Sequence, residues 1–313
     1  MHIGLLSEKR DDESRTALSP ENCRTLLKHF PTWRISFEPC PKRCFADDDY
    51  VAVGAILDQE LRRADLLLAI KEVPPENLMP GRRYAFFSHT RKNQSHNQGL
   101  IQALFHKKIT LLDYELLINT QGSRLIGFGY YAGVVGAYAS LKAWLEKIEE
   151  TGPLPPPEAV QDSEQLADIV NKAHKSDGLR VVISGYGRSA AGAAGFLNRC
   201  GLKELSIEKW KADSHAQGFC RLDVTDYARR VDGQAFEWQD FVAYPGEFVS
   251  CLTRYLESAN IYLACHYWDP RAPLMFGLLS WSRMRRKPAV IGDISCDVPG
   301  SIPTTISASC SLS

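Results

Sequence analysis

Val181-Val182-Ile183-Ser184-Gly185-Tyr186-Gly187-Arg188-Ser189-Ala190-Ala191-Gly192 passes from a continuous apolar run through two glycines into a row of small residues. The run predicts a buried strand, the glycines a tight turn and the small residues a helix packed closely on the strand. Gly185-x-Gly187-x-x-Ala190 in that setting is the fingerprint of a dinucleotide-binding βαβ unit. Gly185 permits the turn, Gly187 lets a pyrophosphate approach the backbone, and Ala190 with Gly192 brings helix and strand together. The helix amino end adds unpaired N–H groups and positive dipole charge, and Arg188 stands there as a possible phosphate partner.

Downstream, Leu205 to Trp210 is expected to form the next strand, whose end reads the adenosine ribose. Lys211 and Asp213 follow it and leave three readings open. Lys211 attracts a 2′-phosphate and favours NADP slightly; Asp213 reaches back and serves NAD; or the position has lost cofactor binding. Further strands are expected at Ile261 to Cys265 and Pro288 to Ile291, with a helix over Met275 to Met284.

Upstream, apolar runs alternate with caps and turns. Ile3 to Leu6 and Arg34 to Glu38 read as strands, and Ser19-Pro20-Glu21 as a helix start with Ser19 as cap. Ala64 to Ile70 ends at Lys71-Glu72-Val73-Pro74, and Arg83-Tyr84-Ala85-Phe86-Phe87-Ser88 ends at His89, so two strands deliver Lys71 and His89 to equivalent ends. A helix is expected from about Gln94 to Phe105, a strand at Ile109 to Leu112, and a long connecting helix over Phe128 to Ile148, closed by Gly152-Pro153-Leu154-Pro155-Pro156-Pro157.

The fold class is therefore α/β, with two Rossmann-like doubly wound domains, 1–130 and 131–313, and an active-site cleft between them. The first is the catalytic and substrate domain, the second the dinucleotide domain with its linking helix.

Interconversion of amine, imine and carbonyl requires proton transfers alongside hydride movement, and Lys71 and His89 form the candidate acid–base pair. Arg15, in the charged stretch after Glu8, is the candidate anchor for a substrate carboxylate, whose two oxygens match a guanidinium fork. Glu115 either tunes the same pocket or caps a helix. Asp293 either contacts the nicotinamide ribose or a substrate ammonium, or serves as a plain turn acid.

Charge excludes other classes. Thirty-seven basic side chains balance 37 acidic ones, which argues against a nucleic-acid surface or a polybasic membrane face. The amino end runs from Met1 to Ser7 directly into Glu8, Lys9 and Arg10, and no stretch reaches the length of a bilayer span, so a cytoplasmic location is expected. Nine scattered cysteines read as free thiols, and the close pair Cys40 and Cys44 has no second pair to complete a metal site.

The chain resembles the lysine-forming saccharopine dehydrogenases and their relatives, the alanine dehydrogenases and the alpha part of transhydrogenase. The resembling segments are Glu13-Ser14-Arg15-Thr16-Ala17-Leu18-Ser19-Pro20, Ile70-Lys71-Glu72-Val73-Pro74, Phe86-Phe87-Ser88-His89-Thr90-Arg91-Lys92-Asn93-Gln94, Leu112-Asp113-Tyr114-Glu115, Phe128-Gly129-Tyr130-Tyr131-Ala132-Gly133 and Gly292-Asp293-Ile294-Ser295-Cys296-Asp297. By that resemblance Lys71 and His89 match the catalytic Lys and His, Arg15 a substrate-carboxylate Arg, and Gly185 with Gly187 the nucleotide turn. It implies oxidative cleavage of an N-linked dicarboxylic amino acid to an amine and a 2-oxo acid with NAD, or reversible amination of a small 2-oxo acid.

Two departures stand out. Family members carry an acid directly after the Trp of the second nucleotide strand, where this chain has Lys211. They also run on past the aspartate-rich strand, where here Gly300 to Ile306 leads only into residues 307–313. The expected consequence is a first domain short of some packing, a gap that a homodimer covers, or a cofactor-binding or partner-binding homologue without turnover.

Overall fold

The apolar runs of the first half form short parallel strands, each too brief to bury itself without a neighbour on either side. In the computed structural model the described residues are 1–306 apart from 12, 91–97, 149–151, 161, 174–177 and 296. They fall into two units, Met1–Gly127 and Phe128–Cys310.

The first unit runs β1 (His2–Leu5), α1 (Pro20–His29), β2 (Arg34–Phe37), α2 (Asp47–Ala52), β3 (Ile56–Leu57), β4 (Leu66–Leu68), β5 (Arg83–Phe86), α3 (Gln98–His106) and β6 (Thr110–Asp113). Ser19 caps α1 as expected: its hydroxyl accepts from the Asn22 amide, and the Asn22 side chain accepts from the Ser19 amide. Of the helix expected from about Gln94, Gln98–His106 is helical; residues 91–97, with the Arg91-Lys92-Asn93-Gln94 part of the resembling segment, lie outside the described residues.

All six strands are parallel, in the order β3-β2-β1-β4-β5-β6. The direction of winding reverses between β1 and β4, and the carboxyl ends of the strands at such a reversal leave a crevice that open α/β sheets use for ligands. Ile3, Leu5, Ile35 and Phe37 share a core with Cys23 and Tyr50, while Leu67, Tyr84 and Phe86 pack with Leu100.

The second unit runs α4 (Gly129–Lys147), α5 (Ser163–Ala173), β7 (Arg180–Ser184), α6 (Arg188–Arg199), α7 (Ile207–Ala212), β8 (Gly218–Leu222), α8 (Val224–Tyr227), β9 (Ala228–Arg230), α9 (Trp238–Ala243), β10 (Phe248–Ser250), α10 (Thr253–Leu256), β11 (Ile261–Ala264), α11 (Leu278–Arg283) and β12 (Val290–Asp293). Its main sheet is parallel in the order β12-β11-β7-β8, and β9 pairs antiparallel with β10. Both faces are covered. Val181, Ile183, Phe219 and Leu263 pack with α4, α5 and α6, whereas Val182, Cys220, Leu222 and Tyr262 pack with Tyr255, Phe241 and Phe276. Double-sided burial is why β7 reads as an unbroken apolar run rather than an alternating one.

Helices α4 and α6 meet backbone to backbone. A Cβ on Gly133 would collide with the Ser189 carbonyl oxygen, and one on Gly192 with the Tyr130 carbonyl oxygen. The small-residue pattern of both segments is the trace of this contact.

One expected element is corrected. Leu205 to Trp210 is not the second strand of the nucleotide unit: Ser206 caps the Lys209 amide at 3.2 Å and opens α7, and the strand beside β7 is β8. Arg180 explains the detour. Its buried guanidinium lies 3.8 Å from the Trp210 ring centroid and donates to the carbonyls of Trp210, Asp213, Ala216 and Ser258. Three of those acceptors, Trp210, Asp213 and Ala216, hold the segment in a helix and turn before β8 begins.

Every cysteine among the described residues is a free thiol, four of them buried, and Cys296 and Cys310 lie outside those residues. Among the described residues no cluster of His, Cys, Asp and Glu is placed to hold a metal ion, and no helix is long and apolar enough to cross a membrane.

Candidate active site

The first unit gathers its charged groups at the carboxyl ends of β1, β4 and β5. Glu8, just past β1, accepts from the Ile70 amide at 2.6 Å and the Lys71 amide at 3.1 Å, one oxygen for each. It thereby fixes the backbone that carries Lys71. Burial raises the Glu8 carboxyl above its ordinary value against the pull of those two amides.

Glu13 grips Arg15 along one edge of the guanidinium, with Nε at 2.7 Å and Nη2 at 2.5 Å. Burial pulls the Glu13 carboxyl upward, but the Arg15 hydrogen bonds and charge, with Lys71 adding a smaller share, hold it below the usual range. Glu72 accepts from His89 Nδ1 at 3.2 Å; that bond outweighs burial and lowers the Glu72 carboxyl. His89 occupies the left-handed region at φ 51°, a conformation uncommon for a side-chain-bearing residue and frequent at functional turns.

Lys71, His89 and Arg15 thus join one set of alternating charges with Glu8, Glu13 and Glu72. A small open pocket of about 100 Å³ lies at the winding reversal between β1 and β4, lined in part by Glu8, Glu38, Lys71 and Glu72; Arg15 and His89 do not line it. Glu115 stands after β6, where Asp113 caps its amide at 2.9 Å and Arg124 pairs with it at 3.3 Å. Arg124 was not singled out from the sequence. Its signal would have been a second cation in the loop before the Phe128-Gly129 segment.

In the second unit Gly185 takes φ 101°, and its amide donates to the Leu222 carbonyl at 2.8 Å. An added Cβ there would meet the Cys265 carbonyl oxygen at 2.8 Å and the His266 Cα at 2.9 Å, so only glycine fits. Gly187 differs: a Cβ on it would meet nothing within 4 Å. No side-chain hydrogen bond caps α6, a twelve-residue helix that starts at Arg188, and the first N–H groups of a helix lack intrahelical acceptors. Ala190 is fully buried against the sheet, and Arg188 is exposed at the first helical position. A closed floor, an open approach and an uncapped helix start fit a dinucleotide pyrophosphate.

Lys211 and Asp213 do not stand at the end of the strand beside β7. Lys211 lies on α7, 5.3 Å from the Tyr255 ring centroid; Asp213 caps the amides of His215 and Ala216 while its carbonyl takes Arg180. The acid at the end of β8 is Asp223, directly after the Leu222 carbonyl that receives Gly185. Sequence reading missed it because α7 separates the glycine turn from β8 by more than the usual interval. The available signal was the apolar stretch Phe219 to Leu222 closing on an acid.

Asp293 ends β12 and accepts from the Ser295 amide and hydroxyl at 3.2 and 2.6 Å and from the Thr305 hydroxyl at 2.7 Å. Beside it His266 is buried between two serines, with Nδ1 2.8 Å from Ser184 Oγ and Nε2 2.8 Å from Ser301 Oγ. Burial outweighs the nearby Asp293 charge and lowers the His266 imidazole from 6.5 to about 4. The unfolded chain therefore binds the extra proton first, so the neutral imidazole's contribution is complete above pH 6.5 and declines as pH falls toward 4. Over that window the second unit is expected to lose about 3 kcal/mol of stability through this group. Thermal unfolding against pH checks it: a His266→Gln variant should show a flatter acid limb, and an identical limb would remove His266 as the cause.

Comparison with known proteins finds several that the chain is similar to. Residues 4–135 match the model of the alanine dehydrogenase/PNT N-terminal domain. The chain is 28% identical to the alpha-aminoadipic semialdehyde synthase of Arabidopsis thaliana, covering 96% of the chain and 32% of that protein. It is 28% identical to the saccharopine dehydrogenase [NAD(+), L-lysine-forming] of Neurospora crassa, over 72% of the chain and 63% of that protein. The chain spans about a third of the length of the semialdehyde synthases it matches, 32% and 37% for those of Arabidopsis thaliana and Bos taurus. A solved L-alanine dehydrogenase shares the fold with a TM-score of 0.63 at 17% identity, covering 99% of this chain and 78% of that one. By these matches the first unit is similar to the alanine dehydrogenase/PNT N-terminal domain, and the chain as a whole is similar to the saccharopine dehydrogenases and semialdehyde synthases and shares its fold with an L-alanine dehydrogenase.

Proposed function

We propose that the chain is a nicotinamide-dependent amino-acid dehydrogenase of saccharopine dehydrogenase type, interconverting an N-substituted amino acid with an amine and a 2-oxo acid. The observation that carries this reading is the convergence of Arg15, Lys71 and His89 with three carboxylates at the strand ends of the first unit, in a chain whose second unit has an open glycine turn. The lysine-forming saccharopine dehydrogenases among the relatives support the substrate class.

A bound nicotinamide dinucleotide supplies the hydride acceptor or donor. Gly185, Gly187 and the amino end of α6 bind its pyrophosphate, and Asp223 accepts from the ribose hydroxyls, which favours NAD over NADP. Arg15, oriented by Glu13, binds a substrate carboxylate. Loss of hydride from the carbon bearing nitrogen leaves an imine, to which water adds before the amine departs. Lys71 and His89 move the protons of these steps: one takes the proton from water as it attacks, the other gives a proton to the leaving nitrogen. Glu72 stabilises the protonated His89 and orients its ring. Arg124 adds a second cation beside Glu115, which suits a substrate with more than one carboxylate.

The test is a fluorescence titration with NADH and NADPH, followed by absorbance measurements across N-substituted amino acids and pairs of amine and 2-oxo acid. Hydride transfer with an N-substituted dicarboxylic amino acid is expected. Transfer only with ammonia and a small 2-oxo acid would move the reading to alanine-dehydrogenase-like amination. Saturable dinucleotide binding without transfer to any of them would leave a binding protein.

A further inference from the structure

The strand that ends at the ribose position carries a cation held away from it. Arg221 lies on β8 and Asp223 one residue past its end in backbone that is still extended, so both side chains leave on the same side, roughly 7 Å apart. The Arg221 guanidinium is bound at two points by Glu204, Nε to Oε1 at 2.7 Å and Nη2 to Oε2 at 3.0 Å. It also lies 4.6 Å from the ring centroid of Tyr186, the residue between the two glycines of the turn. Tyr186 folds back over β8, its hydroxyl 3.4 Å from the Arg221 carbonyl.

Glu204 is fixed by backbone rather than by chance. The Phe219 amide donates to the Lys203 carbonyl at 3.0 Å and the Leu205 amide to the Phe219 carbonyl at 2.8 Å, so Glu204 forms a single parallel bridge along the outer edge of β8. That bridge presents its carboxylate to Arg221. The side chains are only 24% and 36% exposed for Arg221 and Glu204, and the bond raises the already high Arg221 pKa further.

We propose that Glu204 is a latch that withholds Arg221 from the 2′ position of a bound adenosine, and so sets the preference for NAD over NADP. The inference rests on the dinucleotide reading of the glycine turn. A 2′-phosphate placed at Asp223 needs a cation to offset that carboxylate and its neighbour Asp226, whose own carboxyl accepts from the Asp223 amide at 2.8 Å. Lys211 and Arg254 are the other cations near Asp226; both lie against the Tyr255 ring, at 5.3 and 5.0 Å, and Arg254 also donates to the Asp226 carbonyl. Arg221 is the cation on the strand itself. With Glu204 in place it is spoken for, and a ribose diol, which can donate to Asp223, is the better ligand.

The full chain and its variants are titrated with NADH and NADPH at constant ionic strength, with the ratio of the two dissociation constants as the readout. The unaltered chain is expected to favour NADH. Glu204→Gln should shift the ratio toward NADPH by on the order of tenfold, the scale of one charge-assisted hydrogen bond to phosphate. Glu204→Asp, which can still pair with Arg221, should keep most of the original preference. In the double variant Glu204→Gln with Arg221→Gln the gain should disappear. An unchanged ratio in Glu204→Gln, the same gain without Arg221, or an initial preference for NADPH overturns the latch. Failure of the unaltered chain to bind either dinucleotide overturns the latch together with the reading beneath it, and so is distinguishable from the other outcomes.

Discussion

Replacing Lys71 by methionine, which keeps the length of the side chain and removes its amine, is expected to lower the turnover number by about 10²- to 10⁴-fold, the range for loss of a positioned acid–base group. His89→Gln is expected to fall in the same range. Neither residue belongs to the unit that carries the glycine turn, so the dissociation constant for NADH should stay within about threefold in both variants. The loss should appear in kcat and in kcat/KM alike, because a group that acts on protons in the transition state contributes little to ground-state binding. Single-turnover absorbance measurements, with whichever N-substituted amino acid supports hydride transfer, separate the chemical step from release. If both variants turn over like the parent, the acid–base assignment is wrong. If dinucleotide binding collapses with turnover, the residues are holding structure rather than moving protons.

The second large effect concerns stability. Gly133 and Gly192 allow α4 and α6 to touch through their backbones, so Gly192→Ala must push the helices apart. Helix separation breaks a core that includes Tyr138, Leu141 and Phe196, all nearly or fully buried. A cost of about 3 kcal/mol or more is expected, at the upper end for overpacking because the collision is with a carbonyl and not with a side chain that can rotate. For a unit of this size that is roughly 6–12 °C in Tm. Gly187→Val is the contrasting variant: its side chain enters space where a Cβ meets nothing within 4 Å. Melting should shift by little, about 1 kcal/mol or less, while NADH affinity falls by tenfold or more as the branched side chain takes the place of the pyrophosphate. Differential scanning calorimetry alongside NADH titration tests both. Equal melting temperatures for Gly192→Ala and the parent would mean that the helices do not meet as described, and unimpaired NADH binding by Gly187→Val would mean that the dinucleotide does not cross this turn.

How far these features were legible depended on whether their signals were local. Ser19 and Pro20 announced α1 because a cap is satisfied within four residues. The run Val181 to Ile183 announced β7 because burial on both faces leaves no polar position in it. Lys71 and His89 stood out because each follows such a run directly. The ribose end was misread for the opposite reason. Whether residues 205–210 form a strand is settled by Arg180, 30 residues from Trp210 in the chain, whose guanidinium stacks on the indole and takes four carbonyls. Neither hydrophobic period nor spacing from the glycines records that contact.

Sequence by itself determined the class of the protein: parallel α/β units, a glycine turn at a strand end, and a basic pair at two other strand ends, each of them a consequence of short-range sterics and burial. Tertiary structure alone decided the strand order β3-β2-β1-β4-β5-β6, which puts Lys71 at the winding reversal, and the carboxylate partners Glu8, Glu13 and Glu72 that orient the basic groups. It also decided that the strand beside β7 is β8, which runs into Asp223, and that Arg221 on it pairs with Glu204. Those choices belong to packing because each depends on a charge or hydrogen bond between segments that chain connectivity does not bring together, and the low dielectric of a half-buried edge makes such a pairing selective only after folding.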